Sequence, residues 1–131
     1  MPAPSVTERY LTDSITTADP RALIVMLYDR LALDLARAEA ALREPRGLEA
    51  AHNNLVHAQD VVLALRASLR PELWEGSEQL VALYEWLGRQ LVEANMKKDP
   101  AAVAECISVV APLQAAWRAA AVRGATGDDV G

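Results

Sequence analysis

The residues of this chain that could carry metal or nucleophilic chemistry are its two histidines and its one cysteine. Glu49 and His52 form a Glu-x-x-His pair, which is the spacing that helical bundles use in di-iron sites. Such a site needs the same pair on a second helix and carboxylates on two others, yet His57 has no Glu three residues before it. The pattern therefore predicts no metal site, and we expect Glu49 and His52 on a solvated helix face.

Either histidine could instead accept a phosphoryl group, as happens in phosphotransfer domains built as four-helix bundles. Such domains resemble one another in having Lys and Gly shortly after the histidine. Here Asn53-Asn54-Leu55 follows His52 and Ala58-Gln59-Asp60 follows His57. A histidine phosphotransfer signalling domain is therefore kept as the alternative function.

Cys106 stands beside Ile107 on the apolar side of its helix, where a free cysteine usually behaves as a small hydrophobic residue. The chain has no glycine-rich phosphate loop, no paired-cysteine pattern and no cluster of His and Asn around a nucleophile. The sequence therefore predicts a protein that is not an enzyme, with no cofactor and no small-molecule substrate.

Composition restricts the location and the partners further. A chain of 131 residues with 52% hydrophobic content is long enough for one buried core. Its net charge is −5 and its 13 basic residues are scattered, so nucleic acid is not an expected partner. The longest apolar runs, 22–27 and 61–65, are far shorter than the roughly 20 residues of a membrane span. A single cysteine and the lack of a leader pattern favour the cytoplasm.

Four helices are predicted to position these residues. Asp19-Pro20 supplies a capping side chain and then proline at the first helical position, and Asp99-Pro100 repeats this signal. The segment from Glu44 to Gly47 ends the first helix, and 70–77 separates the second helix from the third. Apolar residues recur at steps of three and four within each helix, as at Leu48, Ala51, Leu55, Ala58, Val62, Leu65 and Leu69.

Connections this short favour antiparallel neighbours, so the predicted fold is an all-α, antiparallel four-helix bundle. We expect one domain over residues 1–123 and a disordered tail over 124–131. Residues 1–17 hold too few apolar side chains for a stable helix of their own, so they are interpreted as a cap segment or short helix that needs a docking surface. Pro112 is expected to bend the last helix near Ser108.

The first two helices carry more apolar residues than one buried stripe requires. On the first helix Leu23, Met26 and Leu33 lie off the main stripe, and on the second Val56 and Leu63 flank Gln59. The N-terminal segment could cover this surface, or a partner helix could dock on it. The two helices could also simply be more deeply buried.

Several motifs resemble those of one family. Thr17-Ala18-Asp19-Pro20, then Leu23-Ile24, then Met26-Leu27-Tyr28-Asp29 resemble the Thr-Ala-Ser-Pro, Leu-Ile and Met-Leu-Tyr-Asp-Gly of the FliS flagellar export chaperones. Further similarities, in the same order as in that family, are Asn54, Ala58-Gln59, Ser68-Leu69, Leu83-Tyr84-Glu85, Leu91, Ala94-Asn95 and Ala116-Trp117. In three places the chain departs from the pattern: Asp19 replaces Ser, Arg30 replaces Gly and His57 replaces Lys.

The resemblance implies a cytoplasmic chaperone that binds the disordered C-terminal segment of flagellin and prevents premature polymerisation. It also implies docking on the export gate protein FlhA, and an N-terminal segment that covers part of the groove until the client displaces it. On this basis we expect Tyr10 and Ile15 to form the removable cover. The expected groove residues are Leu23, Met26, Leu27, Tyr28, Leu31, Val56, Gln59, Leu63 and Asn95, although residues such as Tyr28, Leu31 and Tyr84 belong to a core more often than to a contact surface.

Overall fold

The computed structural model describes residues 20–70, 72 and 75–126. Within these ranges the chain forms α1 (Pro20–Leu42), α2 (Leu48–Ala67), α3 (Ser77–Lys97) and α4 (Pro100–Thr126), with no strand. The predicted all-α, four-helix fold is therefore confirmed. The predicted N-terminal cap segment, 1–17, lies outside the described residues. So does 127–131 of the predicted tail, while α4 continues to Thr126, past the tail's predicted start at 124.

Local signals in the sequence set the helix ends. The side chain of Asp99 accepts a hydrogen bond from the backbone N–H of Ala101 at 3.0 Å, which caps α4 as expected. Gly76 precedes α3 with a φ of 82°, and Lys98 follows it with a φ of 52°. Both residues take the left-handed conformation that turns the chain sharply between helices.

The helices are arranged in chain order around a ring. Each of α1 and α3 packs against both α2 and α4. One hydrogen bond and one ion pair show that α2 and α3 run in opposite directions. His52 near the start of α2 contacts Asn95 near the end of α3, whereas Arg66 near the end of α2 pairs with Glu85 in the first half of α3. The short connections between successive helices complete an up-down-up-down arrangement.

The core lies along the middle of this ring. Its largest fully buried side chains are those of Tyr28 and Tyr84, surrounded by leucine, valine and alanine residues of all four helices. The buried apolar residues with no measurable exposure include Leu27, Leu31, Leu35, Leu55, Ala58, Val61, Leu87, Leu91, Ala94, Val103 and Cys106. The three- and four-residue spacing of these positions is the reason that each helix turns one face inward.

The last helix differs from the others in its outer face. Over Pro100–Arg123 it is long and apolar enough to cross a membrane by length and composition, although the sequence was interpreted as having no span. Its many alanines are weakly apolar and are interrupted by polar residues, so this helix contains no long uninterrupted apolar run. α4 packs against the core through Val103, Cys106 and Val110, although only 17% of its apolar window is buried. Pro112 lies within this continuous helix.

Candidate binding groove

An open groove of about 790 Å³ runs between α2 and α3. Three large apolar side chains in it are strongly exposed: Leu63 by 61%, Val92 by 45% and Met96 by 81%. The complete lining is Gln59, Val62, Leu63, Arg66, Tyr84, Glu85, Gly88, Arg89, Val92, Glu93, Met96 and Lys97. Contiguous exposed apolar surface with a polar rim is typical of a site that binds a partner.

The spacing of residues on the two helices explains how the groove forms. On α2, Gln59, Leu63 and Arg66 follow one another at steps of three and four, beside the buried stripe that contains Val62. On α3, Glu85, Gly88, Val92 and Met96 do the same beside Tyr84 and Leu91. The facing stripes are apolar at their centres, and Gly88 contributes no side chain. The two helices therefore leave an apolar depression between them.

Charged side chains along the rim pair with each other. A guanidinium nitrogen of Arg66 lies 3.6 Å from a carboxylate oxygen of Glu85, so this pair spans the groove between the helices. Lys97 donates to Glu93 at 2.6 Å, and this hydrogen bond raises the pKa of Lys97. These pairs are exposed, so each contributes little to stability. Arg89 is a further cationic residue of the lining.

A small polar cluster lies at the C-terminal end of α3, outside the groove lining. The side-chain amide of Asn95 lies 3.0 Å from Nδ1 of His52, and its oxygen accepts a hydrogen bond from Lys98. This cluster links α2 to the end of α3. Asn95 was predicted as a groove residue, and the structure places it in this cluster rather than along the lining.

The structure separates the predicted groove residues into three sets. Gln59 and Leu63 line the groove. Val56 and Met26 are both 44% exposed but are not among the lining residues. Four residues, Leu23, Leu27, Tyr28 and Leu31, lie in the buried core and present no open surface, because the side of α1 that carries them faces the other helices. Tyr10 and Ile15 lie outside the described residues.

Ten of the twelve lining residues were not predicted as groove residues, among them Gly88, Val92 and Met96. On the third helix only Asn95 was expected in the groove, whereas Val92 and Met96 lie beside the buried residues Leu91 and Ala94. The third helix, α3, also carries more apolar residues than its buried stripe requires, as the first two helices do. Applied to α3, the same argument identifies Val92 and Met96. A glycine within a helix lowers the stability of that helix, so Gly88 also indicates that α3 has a position where a side chain is absent for a reason other than helix stability.

Between α1 and α2, away from the groove, two of the departures from the family pattern meet. The carboxylate of Asp34 is fully buried, with one oxygen 2.5 Å from Nδ1 of His57 and the other 3.2 Å from Nε of Arg30. Because a carboxylate accepts, the ring N–H of His57 donates to Asp34; Nε of Arg30 lies 3.5 Å from the same Nδ1 and forms an ion pair with Asp34 without a well-directed hydrogen bond. Arg30 and His57 therefore act together, since both compensate one buried charge.

The cysteine and the two histidines that could have carried chemistry lie in environments that explain them structurally. Burial raises the pKa of the Cys106 thiol to about 11, which keeps it protonated and unreactive at neutral pH. His52 is exposed and meets Asn95, and His57 is held against Asp34. In the part of the chain that the structure describes, no group of three or more His, Cys, Asp or Glu could hold a metal ion.

The ring of four helices and the apolar groove define a helical protein with an open apolar surface between two of its helices. Comparison with known proteins specifies the class further. The family model described as Flagellar protein FliS matches residues 3–124, so the chain belongs to the FliS family.

Curated relatives agree with this assignment over most of their length. The chain is similar to the Flagellar secretion chaperone FliS of Bacillus subtilis (strain 168), with 33% identity over 111 residues, covering 85% of this chain and 82% of the relative. It is also similar to the protein of the same name from Escherichia coli (strain K12), with 28% identity over 107 residues, covering 80% and 78%. Membership of a flagellar secretion chaperone family favours that function over histidine phosphotransfer.

Proposed function

We propose that this protein is a cytoplasmic export chaperone that binds the C-terminal segment of flagellin in the groove between α2 and α3. The observation that carries this proposal is the exposure of Leu63, Val92 and Met96 together in one open groove. Covering these side chains with a partner removes apolar surface from water, at about 25 cal/mol per Å². A flagellar export substrate such as flagellin is the partner that the family implies.

The shape of the groove suits a helical client. The lining on α3 extends from Tyr84 to Lys97, which corresponds to about 20 Å of helix. A client helix of similar length is marginal alone in water, so a disordered segment would fold as it binds. Such helix-in-groove binding uses an apolar face for affinity and polar rim residues for orientation. Gln59, at the groove wall, is placed to hold exposed backbone groups of the client.

Binding in this way would mask the segment and prevent flagellin from polymerising before export. The N-terminal segment, with Tyr10 and Ile15, would cover the groove in the empty chaperone and leave it when the client arrives. The loaded chaperone would then dock on FlhA at the export gate. The role requires no bond to be made or broken, and the protein is therefore proposed to be a binding protein without catalytic activity.

Isothermal titration calorimetry with a flagellin C-terminal peptide tests the proposal. We expect a one-to-one complex with a negative heat-capacity change, since apolar surface is buried. The same complex should elute as one species in gel filtration. The absence of both heat and complex formation would refute flagellin binding. In addition, the substitution Gln59→Ala should weaken binding while the melting temperature changes little; the opposite pattern would make Gln59 a structural residue.

A further inference from the structure

Gly88 stands in the middle of α3 and in the lining of the groove. A glycine inside a helix lowers its stability relative to alanine, because the chain loses more backbone freedom on folding. A helix therefore retains such a glycine at a cost. The surroundings of a glycine show whether the fold itself requires it.

Two other glycines of this chain have a reason within the fold. A Cβ atom on Gly47 would lie 1.8 Å from the carbonyl oxygen of Ala41, so a side chain there would collide with the end of α1. Gly76 has a φ of 82°, a backbone conformation that strains other residues. Substitution of either residue would therefore disturb the connection that it forms.

Neither a close backbone approach nor a positive φ requires glycine at position 88. It does not adopt a positive φ, and a Cβ atom built on it would meet nothing within 4 Å. The missing side chain therefore leaves open space in the groove that Gly88 lines. The opening is bordered by apolar and charged side chains on both helices, including Leu63 on α2 and Val92 on α3.

The geometry points to Gly88 as a specificity-determining residue: the space above it receives one large apolar side chain of a helical client, between Leu63 and Val92. This inference rests on the proposed function for the identity of the client and adds the feature of the client that the groove selects. The occupant is apolar because the side chains of Leu63 and Val92 beside this space are apolar and exposed, while the rim carboxylates Glu85 and Glu93 are paired with Arg66 and Lys97. A large side chain is required because a small one would leave the depression over Gly88 unfilled.

Two substitutions at this position test the inference by filling the space in steps. Both Gly88→Ala and Gly88→Leu should raise the melting temperature or leave it unchanged, since alanine and leucine are strong helix formers and no atom is displaced. In titration with the flagellin C-terminal peptide, Gly88→Ala should weaken binding about threefold and Gly88→Leu at least tenfold. The matched control is Ala82→Leu, because Ala82 is an exposed residue of α3 that does not line the groove. Its binding should equal that of the unmodified chain.

A complementary change in the client makes the test specific. Peptides in which each large apolar residue is replaced in turn by alanine should include one that binds Gly88→Leu better than the unmodified peptide does. Equal binding by Gly88→Leu and the unmodified chaperone would overturn the inference while leaving flagellin binding intact. If the unmodified chaperone itself fails to bind the peptide, the proposed function fails instead, so the two failures are distinguishable.

Discussion

The hydroxyl oxygens of Tyr28 on α1 and Tyr84 on α3 lie 2.8 Å apart in the core and join two helices that face each other across the ring. Both side chains are almost completely buried, and burial raises the pKa of each phenol above its usual value. Trp117 on α4 also hydrogen-bonds Tyr28, so this polar contact links three helices inside an apolar core. A buried hydroxyl that lost its partner would keep its full desolvation cost.

Substitution of either tyrosine by phenylalanine should therefore destabilise the bundle by about 1–2 kcal/mol. The double variant Tyr28→Phe/Tyr84→Phe should lose less than the sum of the single variants, since neither hydroxyl is then left without the other. Urea denaturation of the four proteins measures the coupling. Strictly additive losses would show that the two hydroxyls do not interact in solution.

The buried carboxylate of Asp34 leads to a second prediction. The variant His57→Ala removes the N–H that donates to Asp34 at 2.5 Å and leaves a buried charge with only the ion pair to Arg30. We expect a loss of about 1–3 kcal/mol in the free energy of unfolding at neutral pH. The control is His52→Ala, at an exposed histidine on the same helix, which should lose less than about 0.5 kcal/mol. Equal losses in urea denaturation would contradict a special role for His57.

The exposed leucine of the groove gives a third prediction. Leu63→Gln removes an apolar contact with the client and should weaken binding of the flagellin peptide about tenfold, which corresponds to ~1.4 kcal/mol. Because Leu63 is 61% exposed in the free protein, the melting temperature should hardly change. Leu33→Gln, on α1 and outside the groove lining, is the matched control and should bind normally. Equal weakening by both substitutions would place the client elsewhere.

A fourth prediction concerns alkaline pH. The pKa of Cys106 rises from 9.0 to about 11 on folding, so the folded chain holds this proton more tightly than the unfolded chain. The resulting stability is complete below about pH 9 and is lost as the pH rises from 9 to 11, by about 3 kcal/mol in total. The buried phenols of Tyr28 and Tyr84 act in the same direction, because their pKa values are also raised.

Unfolding free energies measured in urea between pH 8 and pH 11 should therefore fall steadily. In the Cys106→Ala variant the part of this decline that belongs to the thiol should disappear, and the part that belongs to the phenols should remain. An identical slope in both proteins would show that the thiol titrates normally in the fold.

The sequence predicted the helices well because their boundaries depend on nearby residues. Pro20, Gly47, Gly76 and Asp99-Pro100 act through caps, close approaches and fixed backbone angles, which involve only a few neighbouring positions. The buried stripes were also predictable, since a helix that packs on one side must repeat apolar residues at its own period.

The groove was predicted only in part, because its location depends on which helices become neighbours. Gln59 and Leu63 were identified from apolar excess on one helix, but their partners Val92 and Met96 stand on another helix and become relevant only through packing. Tyr28 and Leu31 show the opposite effect. Both were expected in the groove, yet the ring arrangement turns them inward, and Leu31 lies on the buried stripe of α1.

The ring order of the helices also has a consequence for synthesis on the ribosome. The chain emerges from its N-terminus, so α2 and α3, whose surfaces form the groove, are available before α4 has been made. The face of α1 that packs against α4, including Asp29 with its bonds to Gln114 and Arg118, stays uncovered until the last quarter of the chain appears. A nascent chain could therefore form its client-binding surface first and complete its own core last.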